Sequence, residues 1–260
     1  MTNEVTKEEK IGTNLIETVI KLPYVKVDRN TFLTSYLTKN LTDEEKIKLI
    51  TEGPTSIFNK RELDSFANKR INEISLKSAG TSALTGLPGG LALAASIPAD
   101  LVQFFAFSCK LAQEIAYIYG YDDLWEDGKL TEESRNKIII FLGTMFGVNA
   151  AGSLLRISSK PLSANVAKKI AAQPLTKTAW YPIIKKVLKL FGVKVTKNTV
   201  GSAAGKIIPI LGGVISGGLT YTSMKPMGKR LSQEFSKGLV YTEEDMQKDI
   251  EIIEATAKEV

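Results

Sequence analysis

The chain has 260 residues, 43% hydrophobic and 24% charged. That is enough apolar material for a packed core and excludes a disordered tail or a fibre. It contains no histidine and a single cysteine, Cys109, which removes the Ser/His/Asp and Cys/His catalytic arrangements, the usual zinc and haem ligand sets, and any intramolecular disulfide.

The net charge of +6 hides an uneven distribution. Residues 1–77 carry 13 basic and 12 acidic side chains, residues 78–155 carry 4 and 8, residues 156–230 carry 14 and none, and residues 231–260 carry 3 and 8. Between Glu133 and Glu234 there is no carboxylate at all. A solvated surface ordinarily mixes both signs, so a one-sided block of this length implies an anionic partner.

The first ten residues are polar and of mixed charge with no apolar stretch behind them. With only one thiol, this reads as a cytoplasmic protein without a secretory signal. Helical spacing then dominates, and strand-like alternation is nearly absent. Thr42 followed by Glu45, and Thr242 followed by Asp245, are capping boxes. Thr131 before Glu132 and Glu133 places a cap and two carboxylates at the positive end of another helix. Gly53, Gly120 and Gly238 are stop signals. The expectation is an all-α protein, a helical bundle with glycine-rich apolar hairpins. It divides into a helical extension over 1–64, a helical domain over 65–238 and an acidic helix over 239–260.

Three stretches lack charge altogether: Ser78–Ala99, Ile138–Leu155 and Ile207–Met224. The last two are 18 residues long, the lower edge of what crosses a bilayer. They carry small residues four apart, Gly143 with Gly147 and Gly213 with Gly217, a spacing that lets helix backbones approach closely in lipid or in a tight soluble core. Between them, residues 180–191 form a basic amphipathic helix. Lys185, Lys186 and Lys189 fall on one face, Ile183, Ile184, Val187 and Phe191 on the other, and Trp180 and Tyr181 lie at the N-terminal end. This is the form that lies in the headgroup layer of an anionic membrane, and Trp180, Lys185, Lys186, Lys189 and Phe191 are the candidate membrane-binding residues.

Gly86-Leu-Pro-Gly-Gly90, Ile97-Pro-Ala-Asp100, Tyr119-Gly-Tyr-Asp122, Ile208-Pro-Ile-Leu-Gly-Gly213, Gly217-Gly-Leu-Thr-Tyr221 and Gly228-Lys-Arg230 follow in order over roughly residues 65–237. Together they resemble the EcsC family of bacterial proteins. The resemblance implies a helical, glycine-rich protein encoded beside an ABC-type exporter, with no established chemistry. It leaves the first sixty residues unexplained.

Within one of the matched regions, Lys110 and Glu114 stand four residues apart on an otherwise apolar helix. They are either a satisfied pair or, with Asp100, Tyr121 and Asp122, the lining of a pocket. Other chemistry fails. Asp123, Asp127 and Gly128 suit a calcium loop, but Trp125 and Ser134 fall where ligands belong. Gly201 to Lys206 lacks the first glycine of a phosphate loop and the strand before it, and the basic block has too few aromatics for a nucleic-acid module.

The reading is a non-enzymatic protein without metal or cofactor that docks basic and apolar glycine-rich helices on the inner face of the cell membrane. Its partner is anionic lipid or a membrane protein, such as ABC-type transporter components. The alternatives are an enzyme with an acidic and tyrosine pocket, a hydrolase on lipid-like substrates, and a soluble interaction module.

Overall fold

A computed structural model describes residues 5–80, 97, 99–158, 175–199 and 217–259. Ten α-helices run through these residues: α1 Lys7–Ile20, α2 Arg29–Leu37, α3 Asp43–Thr51, α4 Lys60–Gly80, α5 Ala99–Ile118, α6 Glu132–Met145, α7 Asn149–Ile157, α8 Leu175–Thr199, α9 Gly217–Gly238 and α10 Glu243–Lys258. The all-α expectation holds. The only strands among the described residues are β1 Trp125–Glu126 and β2 Lys129–Leu130, paired antiparallel around Asp127 and Gly128, both at positive φ. An Asp-Gly pair is the preferred two-residue hairpin turn, so the segment that resembles a calcium loop is a small hairpin.

Helix starts follow from side-chain caps. Thr42 and Thr242 form the expected capping boxes with Glu45 and Asp245, and Thr131 accepts from the Ser134 amide. Thr6 and Glu9 form a further box at the start of α1. Each places an oxygen on amides that have no partner within the helix.

The core sits around α5, which is mostly apolar, is buried on nearly every side and packs against α1, α2, α4, α6 and α9. Burial of this kind is what a mostly apolar helix requires. One cluster of buried side chains extends from Leu15 in α1 to Ile253 in α10. The N-terminal extension and the acidic C-terminal helix therefore share the core of the central part.

The run Ile138–Leu155 does not make one membrane-length helix. Gly147, at φ 83°, ends α6. The amide of Val148 reaches the carbonyl of Gly143 at 2.9 Å, and that of Gly147 reaches Thr144 at 3.0 Å. This paired closure is a Schellman turn, and α7 restarts two residues later. Every residue from Ile138 to Met145 and from Ala150 to Leu155 is buried. No described helix is long and apolar enough to cross a membrane.

Glycine does bring helices close, at positions other than those the four-residue spacing selects. α1 and α8 are the most extensively packed helix pair. A Cβ on Gly12 would collide with the Leu188 carbonyl, and one on Gly192 with the Glu8 carbonyl. These reciprocal sites run in opposite chain directions, so the helices cross antiparallel with backbones touching. Gly143 is a lesser case, where a Cβ would meet Val187 Cγ2 at 2.5 Å. At Gly147 there is open space, so the expected four-residue packing pair acts as one packing residue and one turn residue. Gly213 lies outside the described residues, and Gly217 opens α9.

Candidate functional site

The candidate pocket residues are strung along α5 and its exit. Glu114 is 1% exposed, and α4 supplies its counterion. Arg70 Nε donates to Glu114 Oε2 at 2.8 Å and NH2 to Oε1 at 2.6 Å, a bidentate pair, while Lys110 stands 3.9 Å from Oε1. Arg70 also binds Glu73 at 2.9 Å and lies over the rings of Phe32 and Tyr36. Although burial opposes its charge, the hydrogen bonds from Glu114 and Glu73 raise its pKa. With both Glu114 oxygens engaged by a fork of matching geometry, this is a structural pair joining α4 to α5.

Tyr121 turns inward, edge-on to Phe141 and Phe235, with its hydroxyl 3.4 Å from Ser158. Burial pushes its pKa up to about 12. Asp122, the next residue, is exposed. Asp100 lies in the first turn of α5, about 27 Å away along the helix axis from its last turn. The candidates Asp100, Lys110, Glu114, Tyr121 and Asp122 therefore do not converge on one cavity. Asp122 borders one cavity.

That cavity is an open cleft of about 550 Å³ between the ends of α3 and α5 and the start of α2, lined by Arg29, Ile50, Glu52, Thr55, Gly120 and Asp122 among others. Two positive-φ glycines shape it, Gly53 after α3 and Gly120 after α5, and a Cβ on Gly53 would stand 3.9 Å from the Gly120 Cα. Arg29 opens α2 behind its cap Asp28 and is buried. Its Nε donates to the Tyr121 carbonyl at 2.9 Å. Its NH1 donates to the Ile50 carbonyl at 3.3 Å and Asn30 Oδ1 at 3.2 Å. One guanidinium thus serves the Ile50 carbonyl in the partially negative last turn of α3 and the Tyr121 carbonyl just beyond the end of α5. Burial lowers the Arg29 pKa, and Asp123 opposes that shift. Asp123 in turn accepts from the Tyr117 hydroxyl and the Trp125 amide, each at 3.1 Å. Sequence shows the two glycine stops, but that both meet at Arg29 is a tertiary fact with no local signal.

The basic amphipathic segment lies within α8, Leu175–Thr199, where its apolar face is buried but Lys185, expected on the basic face, is buried as well. What the two faces contact differs from the expectation. Ile183, Val187 and Phe191 are fully buried, with Phe191 edge-on to Phe105 and Phe146. Trp180 packs partly buried against the core. Lys185 is buried, 3.9 Å from Glu9 of α1, and Lys186 pairs with Glu259 at 2.8 Å. Lys189 is exposed. Phe191 is thus a core residue of this fold, because burial in protein satisfies the same apolar surface that a lipid layer would cover.

The basic block finds further carboxylates in space. Arg156 of α7 is held by Asp249 of α10 and Glu234 of α9, with Nε to Asp249 Oδ2 at 2.9 Å, and Tyr241 donates to the same oxygen at 2.7 Å.

No family model, curated protein or solved structure matches the chain. Among the described residues, no group of three or more His, Cys, Asp or Glu side chains could hold a metal ion.

Proposed function

We propose that the protein is a non-enzymatic module that docks on the inner face of an anionic membrane through one end of its helical bundle. The observation that carries this reading is where the helices end. Ile71 and Leu111 both pack at Gly228, while Asp64, Tyr119 and Ser232 are linked by hydrogen bonds, so α4 runs antiparallel to α9 and α5 runs parallel to it. The last turn of α4 and the first turns of α5 and α9 therefore share one end. Phe105 near the start of α5 meets Phe191 at 5.0 Å, two turns before α8 ends, which brings Thr199 to the same end.

Two charge-poor stretches join the bundle there. Residues 81–98 carry no charge, and residues 200–216 carry Lys206 alone. Lys77 belongs to the last turn of α4 and Lys197 to the last turn of α8. Apolar area beside lysines is the combination that binds an anionic interface, each lysine near the surface adding about 1 kcal/mol. The reading moves the contact from the lysine face of α8, whose apolar side is core, to the end of the bundle. The resemblance to EcsC proteins, with their exporter neighbourhood, fits a membrane-proximal role. The pocket-enzyme alternative loses support because its carboxylates are spread over different surroundings.

Co-sedimentation with vesicles tests it. Full-length protein is expected to pellet with vesicles containing phosphatidylglycerol, remain in the supernatant with phosphatidylcholine alone, and be released by salt. Protein that stays in the supernatant with phosphatidylglycerol at low salt overturns the reading and leaves the soluble interaction module.

A further inference from the structure

At the opposite end of α5 from that docking end, the Arg29 cleft has a composition the membrane reading does not use. We propose that it binds a small organic cation, a primary ammonium or guanidinium compound of about the size of a diamine.

The argument starts from the walls. α3 ends at Thr51 and α5 at Ile118, so two helices bring their C-terminal, partially negative ends to the same space. The polar lining adds three carboxylates, Glu52, Asp122 and Asp123, against one guanidinium. That guanidinium directs Nε and NH1 to the Tyr121 and Ile50 carbonyls and to Asn30, and Asp123 supports its charge. Arg29 therefore acts as the built-in counterion of the cleft floor. Around the opening stand Glu52 and Asp122, both exposed, with Lys48 3.8 Å from Glu52. An anionic ligand would meet carboxylates and helix C-termini together, whereas a cation meets three carboxylates against the Arg29 guanidinium and the Lys48 ammonium.

Size and shape agree. A volume of about 550 Å³ exceeds what a bare metal ion needs, and the lining includes the apolar surfaces of Ile50 and Tyr119 beside the threonines 51 and 55. An alkyl chain can lie on the first pair while ammonium groups reach the carboxylates. Gly53 and Gly120, at φ 87° and 92°, form the turns of its floor, a backbone conformation that favours glycine.

The test is isothermal titration calorimetry of the full chain at low salt with 1,4-diaminobutane, and with magnesium chloride and sodium phosphate as comparison titrants. Saturable binding of the diamine is expected, with neither comparison titrant competing at equal concentration. Replacing both rim carboxylates, Asp122→Asn with Glu52→Gln, is expected to weaken it about tenfold or more. Both positions are exposed, so the variant keeps its fold, which an unchanged thermal midpoint checks. A second variant, Thr55→Phe, fills the cleft without altering charge and is expected to abolish binding. No saturable heat with the diamine, binding that both variants leave intact, or equal uptake of magnesium or phosphate overturns the proposal. Vesicle binding does not bear on it, because the cleft and the docking end lie at opposite ends of α5.

Discussion

Two glycine pairs in this protein illustrate different rules. Gly143 and Gly147 are four residues apart in a charge-free run, the arrangement that suggests a helix-packing stripe. In the fold only Gly143 packs, against Val187, while Gly147 turns the chain. Gly12 and Gly192 lie 180 positions apart with nothing in their local sequence to connect them, and each admits the other helix's backbone. Spacing within a segment shows which residues share a face. Which face meets a second helix is decided by the whole topology.

Substitutions sharpen this contrast. The largest effect belongs to Gly192→Val, where the new side chain meets the Glu8 carbonyl, a backbone atom that cannot step aside alone. A loss of about 3 kcal/mol or more is expected in urea denaturation, and an unchanged midpoint would mean that α1 and α8 stand farther apart than described. Gly143→Ala pushes on the tip of a valine, which can shift, so about 1–2 kcal/mol is expected by the same measurement. Gly147→Ala has room for its methyl and suffers only from positive φ, for about 1 kcal/mol. A cost at 147 exceeding that at 143 would restore the packing-stripe interpretation of that pair.

Local physics was legible because it depends on neighbours in sequence. Thr42, Thr131 and Thr242 announce helix starts through oxygens that reach amides three residues on, and Gly53 and Gly120 announce stops through their freedom at positive φ. The two-faced pattern of residues 180–191 was also readable, but periodicity reports an apolar face without naming what covers it. Here α1 and the Phe105–Phe146 cluster do so. The partner of Glu114 was unreadable for the same reason: Lys110 is near in sequence, yet Arg70, 44 positions away, has the planar fork that fits a buried carboxylate. The acid-free block shows the limit most clearly. Its excess charge along the chain is partly cancelled in space, where Glu9, Glu259, Glu234 and Asp249 come to Lys185, Lys186 and Arg156.

The position of those carboxylates has a consequence for biosynthesis. Arg156 emerges from the ribosome well before Glu234 and Asp249, and the acceptor face of α1 waits some 180 residues for Gly192. Neither the half-buried guanidinium nor the first helix can reach its final environment until the segments that carry those partners have been made. Contacts of such sequence separation close slowly, so these helices settle together late rather than one by one as each is made.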